Sequence, residues 1–173
     1  AKPVPTDNEI LIKIHAVSVN RSDWEGLIGK PLYARFGGLF KPSRQILGSD
    51  IAGRVERVGR NNQQFQPGDE VFGDILVHMG GFAEYVCVRG KTLALKPANL
   101  TFEEAAAIPQ AGVIALQGIR DKGQVQPGQK GLINGAGGSA GTFAVQLAKL
   151  YGAEVTGVDN TGKLDFMRSL GAD

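Results

Sequence analysis

Eight residues constrain this chain more than any others: "NGAGGSAG", positions 134 to 141. Gly135, Gly138 and Gly141 recur every third residue, after the apolar run "KGLI" and before "TFAVQLAKLYG". In the latter, Ala144, Leu147, Ala148 and Tyr151 are spaced i, i+3, i+4, i+7, and Gly152 supplies a stop. "EVTGVDN" then gives a second short apolar strand, and "TGKLDFMRSLGA" a second helix ended by Gly171. Strand, helix, strand and helix in succession predict a parallel sheet with right-handed crossovers.

The run from Lys130 to Asp159 is thirty residues long, the size of one dinucleotide-binding strand–turn–helix–strand unit. Within it each glycine has a task. Gly135 permits a sharp exit from the strand, Gly138 leaves room for a pyrophosphate beside the backbone, and Gly141 allows close helix packing. The N–H groups of Ser139, Ala140 and Gly141 open the helix without intrahelical acceptors, so they offer an anion hydrogen bonds and partial positive charge. Asp159 lies eighteen residues past Gly141, where a carboxylate accepts from the adenosine ribose hydroxyls and opposes a 2′-phosphate. Asn160 borders it, and Lys163, four residues on, offsets the repulsion. NAD and NADP both stay open. So do a glycine-rich turn of some other α/β fold and an Asp159 that caps the next helix.

Upstream the pattern is different. "EILIKIHAVSVN" puts Ile10, Ile12, Ile14 and Ala16 on one face of a predicted strand. Positions 21–44 read as loop with a short helical piece. "ILGSDIAGRVERVG", "QPGDEVFG" and "GFAEYVCVRGKTLALKP" supply further short strands with Gly/Pro punctuation, the signature of an antiparallel barrel-like domain. From Leu100 the chain turns helical: Thr101 and Glu104 stand at capping-box spacing, with an interruption near Pro109. Of 173 residues, 42% are hydrophobic and 21% charged, enough apolar material for a core. A net charge of +2 gives no footprint for nucleic acid or a membrane surface. The single cysteine, Cys87, excludes an internal disulfide and fits a reducing, cytoplasmic setting.

"PGDEVFG", "ILGSDIAGRVERVG", "AAAIPQAG" and "LINGAGGSAGTFAVQLAKLYGAEVTGV" resemble the medium-chain dehydrogenase/reductases, in particular their zinc-free quinone-oxidoreductase-like branch. The resemblance implies an α/β protein: a GroES-like β-barrel catalytic domain over residues 1–124, then the first part of a Rossmann domain over 125–173, with the active site between them. It also implies a homodimer for the full-length protein. Zinc-dependent members place Cys and then His-Glu where this chain has Asn20 in "SVNRSDW" and Ser49-Asp50 in "LGSD". Zinc takes sulfur or imidazole ligands, and the scattered Cys87, His15 and His78 offer no ligand spacing, so no metal is expected. Both histidines are read as structural.

Without a metal or a tuned base, alcohol oxidation has no evident proton acceptor. Hydride transfer to a quinone or an α,β-unsaturated carbonyl, whose conjugation spreads the developing charge, is the expected chemistry. It needs orientation and a hydrogen-bond donor at the carbonyl oxygen. The resemblance gives that place to the Asn20 amide, with Tyr33 a lesser candidate and Trp24 a wall or core residue. Three departures from the family pattern stand out: Ile114 where threonine is usual, Ser139-Ala140 inside the glycine motif, and Asp159 where NADPH-using relatives carry a small neutral residue. Relatives' Rossmann domains have about six strands, so a fragment is expected, with an open strand edge, weak nucleotide binding and little turnover. The competing readings are a non-catalytic nucleotide-binding or scaffold protein of the same fold and an alcohol dehydrogenase-type member.

Overall fold

The computed structural model describes residues 2–35, 38 and 45–173. Residues 36, 37 and 39–44 of the stretch read as loop lie outside the described residues. By packing, the chain forms two compact units, Ala1–Pro109 and Gln110–Asp173. The sequence draws the line after residue 124 instead, but Ile119 and Val125 pack on the second core, which joins the preceding helical stretch to the second unit.

The first unit is an antiparallel sheet. Its strands are β1 (Ile10–Ser18), β2 (Asp50–Val58), β3 (Glu70–Asp74), β4 (Tyr85–Val88) and β5 (Ala94–Leu95), in the order β4-β1-β2-β3-β5. Helix α1 (Arg21–Ile28) leaves β1 almost at once. Ile10, Ile12, Ile51, Val55, Val71, Ile75 and Val88 form the core, all essentially inaccessible to solvent. The expected single face Ile10–Ile12–Ile14–Ala16 holds only as far as Ile14. Across β2, Ile14 pairs with Gly53 and Ala16 with Ala52, so His15 is an extra residue, a bulge in β1. One unpaired residue shifts a period-two pattern by one place. Val17 therefore joins the main core, and Ala16 turns to a second cluster with Ala52, Ala105 and Ala106. His15 stacks on Phe102, ring centroids 4.4 Å apart, while the Lys96 ammonium stands 5.3 Å from the same ring.

Helix α2 (Phe102–Ala106) starts with the predicted box: Glu104 N–H donates to Thr101 Oγ1 at 3.2 Å, and Thr101 N–H to the Glu104 carboxylate at 2.8 Å. Pro109 interrupts the helical run by starting α3 (Pro109–Leu116), at a position where a missing N–H costs nothing. The helix then widens to π spacing over Gln117–Lys122.

The second unit pairs β6 (Lys130–Asn134) parallel to β7 (Glu154–Val158). Helices α4 (Ser139–Leu150) and α5 (Leu164–Ser169) supply Val145, Ala148 and Met167 to a core with Ala136, Ala153 and Val155. The sequence predicts β6 as a buried strand. One face is covered, but Leu132 on the other is 69% exposed. Asp173 lies along β7: its N–H donates to the Val155 carbonyl at 2.8 Å, and its carboxylate accepts from Val155 N–H at 2.6 Å and from Lys149. Among the described residues no helix is long and apolar enough to cross a membrane.

Candidate functional site

Two places in the chain hold the residues singled out from sequence. In the second unit the glycine stretch is a tight turn between β6 and α4. Gly135 has φ +76°, the left-handed region that glycine enters without strain. The N–H groups of Gly135 and Ala136 both donate to the Val158 carbonyl, at 2.8 and 3.1 Å, which fastens the turn to the end of β7. Gly138 precedes α4 in extended conformation, and Ser139, Ala140 and Gly141 form the first helical turn. Gly135 and Ser139 are exposed, so the turn opens to solvent. A Cβ on Gly141 would run into the Gly135 carbonyl oxygen and come within 2.7 Å of Ala136 Cα. The glycine lets α4 lie against the turn's own backbone. The first-turn amides of α4 lack acceptors within their own helix, and the left-handed glycine before them brings the chain round from β6 to meet them.

Asp159, at the end of β7, is aimed into this turn. Its Oδ2 accepts from Gly137 N–H at 3.0 Å, and its Oδ1 from Asn160 N–H at 2.8 Å and Asn160 Nδ2 at 3.1 Å. Lys163 Nζ is 3.5 Å from Oδ1. These donors, led by Asn160 N–H and followed by Gly137 N–H and the Lys163 charge, hold the carboxyl below the usual carboxylate range. The acid thus bridges β7 to the glycine turn. Gly137 went unnoticed in the sequence because it falls outside the every-third-residue pattern. A Cβ there would sit 2.6 Å from Lys163 Cδ, and Lys163 is a neighbour that only the fold provides.

In the first unit Asn20 stands at the N-terminus of α1. Its Nδ2 reaches the Ser18 and Ser49 hydroxyls, both at 3.4 Å, and Ser49 is wholly buried. The positions that carry metal ligands in zinc-dependent relatives are therefore neighbours here, occupied by an amide and a hydroxyl. Among the described residues no three of His, Cys, Asp and Glu group so as to hold a metal ion. Cys87 is half-buried on β4, and burial pushes its thiol up. Tyr33 is already engaged, its hydroxyl donating to Glu25 at 2.6 Å, and Glu25 also pairs with Arg21 at 2.8 Å. Trp24 is 58% exposed, so it is no core residue, and Ile114 is exposed on α3.

Asp23 is the residue of this region that sequence missed. It is 3% exposed, and its carboxylate accepts from Asn20 N–H at 2.8 Å and from Gly48 N–H at 2.9 Å. It thereby ties α1 to the segment that carries Ser49. Its only sequence signal was the spacing of three from Asn20. Asp23→Ala strands both donors and should cost about 2–4 kcal/mol in thermal unfolding. Asp23→Asn, which keeps an acceptor, should cost less. Equal stability of all three proteins would contradict the tie.

Residues 6–98 match the family described as alcohol dehydrogenase GroES-like domain. The chain belongs to this family. More broadly it is a member of the medium-chain dehydrogenase/reductase superfamily, in the quinone-oxidoreductase-like branch. It is 38% identical to 2-methylene-furan-3-one reductase of Solanum lycopersicum, over 100% of this chain and 45% of that protein. The quinone oxidoreductase from Coxiella burnetii superposes with a TM-score of 0.90 at 34% identity, over 100% of this chain and 54% of that one. Escherichia coli quinone oxidoreductase, solved in complex with NADPH, gives 0.83 at 27% identity, over 98% and 50%. This GroES-like chain spans about half the length of the relatives it matches.

Proposed function

We propose that the chain acts as a zinc-independent, NAD(P)H-dependent oxidoreductase that passes hydride to a quinone or an α,β-unsaturated carbonyl. The observation that carries this reading is the turn at 134–141, exposed at Gly135 and Ser139, fastened to Val158 and leading straight into the first turn of α4. Ser139, Ala140 and Gly141 would hold the linking phosphates, and Asp159 would accept from the adenosine ribose through the capacity left on Oδ2. A bound reduced nicotinamide nucleotide supplies the hydride.

On the substrate side we assign Asn20 the role of donor to the carbonyl oxygen. Its contacts to Ser18 and Ser49, at 3.4 Å, are at the weak end for hydrogen bonds, so an oxygen gathering negative charge displaces them readily. Zinc independence is supported by the pairing of Asn20 with Ser49, two poor ligands for that metal. A net charge of +2 supports a small-molecule partner rather than nucleic acid or a membrane surface.

The test has two parts. Titration of the 173-residue chain with NADH and NADPH, followed by nicotinamide fluorescence, should give weak binding that still saturates at high nucleotide concentration. Reduced-nicotinamide absorbance should fall only slowly on adding a quinone or an enone, given the little turnover expected of this chain, at a rate that a metal chelator leaves unchanged. Absence of nucleotide binding would remove the reading altogether. Turnover abolished by the chelator and restored by zinc would favour an alcohol dehydrogenase-type member.

A further inference from the structure

Helix α1 of the first unit is turned inside out. A helix on a globular unit ordinarily buries its apolar stripe and shows its polar one. Here Trp24, Leu27 and Ile28, spaced i, i+3, i+4, form a stripe that faces solvent, with Leu27 at 69% exposure. What α1 buries instead is Asp23, and beside it Gly26, where a Cβ would come within 3.4 Å of Leu47 Cδ2. The short turn Leu32–Arg35 extends the patch, since Leu32 and Tyr33 are exposed as well. It is tied back to α1 by the Tyr33 hydroxyl on Glu25, at 2.6 Å, and by Arg35 Nε, which donates to the Gly29 carbonyl at 2.8 Å. A lone exposed leucine is ordinary; a contiguous patch with two aromatic rings marks a contact surface.

The charge around this patch is one-sided. Glu25 is already held by Arg21 at 2.8 Å and by Tyr33, and Asp23 is buried. From residue 26 to residue 49 the sequence has Lys30, Arg35, Lys41 and Arg44 and no acid. The net charge of +2, which argues against a membrane surface for the chain as a whole, averages over this local excess. Tryptophan and tyrosine settle at the level of lipid headgroups, leucine and isoleucine reach the acyl boundary below, and lysine and arginine are drawn to anionic lipid. We propose that α1 and the turn after it are a docking surface for an anionic lipid bilayer. The chain lies on the bilayer without crossing it, Trp24, Leu27 and Ile28 seated at the headgroup–acyl boundary and Lys30 and Arg35 against lipid phosphates. This goes beyond the hydride-transfer reading and stands without it.

Trp24 is the chain's single tryptophan, so its fluorescence reports on this surface alone. With vesicles of phosphatidylcholine mixed with phosphatidylserine, its emission should shift to the blue and be quenched by brominated acyl chains. Binding should be about tenfold weaker on phosphatidylcholine alone, and binding to the anionic vesicles should fall as salt rises. Lys30→Glu should weaken binding about tenfold on the anionic vesicles and leave the neutral ones unchanged. Leu27→Ser combined with Ile28→Ser, both at exposed positions, should weaken binding about tenfold on either vesicle. Leu132→Ser, at an equally exposed leucine of the second unit, is the control and should change nothing. Emission that neither vesicle moves overturns the proposal. So does equal binding to both vesicles, or binding lost in Leu132→Ser and kept in the Leu27, Ile28 pair. A blue shift that appears without lipid as the protein is concentrated, with a dimer in sedimentation, gives the patch to a second copy and overturns it too.

Discussion

Gly141→Ala should all but abolish nucleotide binding while leaving the first unit intact. The added methyl would overlap the Gly135 carbonyl oxygen and crowd Ala136 Cα and carbonyl carbon at 2.7 and 2.8 Å. None of these atoms is the far end of a flexible side chain. Ala136 is fully buried in the second core, and the N–H groups of both residues are fastened to Val158. The strain must then tilt α4 or open the turn, and either movement misplaces the amides of Ser139 to Gly141. A displacement of about 1 Å in groups that position a ligand costs on the order of 100-fold, and overpacking costs about 1–3 kcal/mol of stability. Titration with NADPH reads the first effect and thermal unfolding the second. Gly131→Ala is the control, since a Cβ there meets nothing within 4 Å. Wild-type affinity in Gly141→Ala would mean that the amides do not hold phosphate.

Gly53→Ala should strongly destabilise the first unit. The new carbon would strike the Lys13 carbonyl oxygen and lie 2.8 Å from Ile12 Cγ2 and 3.1 Å from Ile14 Cα. Gly53 pairs with Ile14 directly beside the His15 bulge, so the two strands approach closely there and cannot part without breaking the β1–β2 ladder. A cost of about 3 kcal/mol or more is expected, lowering the unfolding midpoint by on the order of 10–20 °C for a unit of this size. Hydrogen exchange would localise it: amides of β1 and β2 should lose protection while those of α4 and β7 keep theirs. Unchanged protection across β1 and β2 would show that the ladder tolerates the methyl.

The features that the sequence revealed and those it hid differ in the distance over which each is decided. The turn after β6, the period of α4 and the stop at Gly152 were legible because they are settled by residues within a few positions of one another. The β strands were legible as pieces for the same reason. Ala16 was placed on the wrong face because the bulge at His15 depends on how β1 pairs with β2, nearly forty residues away. Gly137 was overlooked because what requires a glycine there is the Lys163 side chain. Leu132 looks like core by composition, and only the sheet shows that one of its faces is uncovered. The Asp23 carboxylate, which reaches Gly48, belongs to the same class. In the candidate site the backbone elements were readable; of the two carboxylates that tie them together, Asp159 was legible only as a ribose acceptor and Asp23 not at all.

The extra residue in β1 has an effect beyond its own strand. A ribbon that gains one unit on one side is rolled by half a turn from that point onward, and Asn20 emerges five positions later. The face that the last residues of β1, Ala16 to Ser18, turn to each side is thus decided at one inserted residue, much as a keyed shaft sets the angle of whatever is mounted at its end.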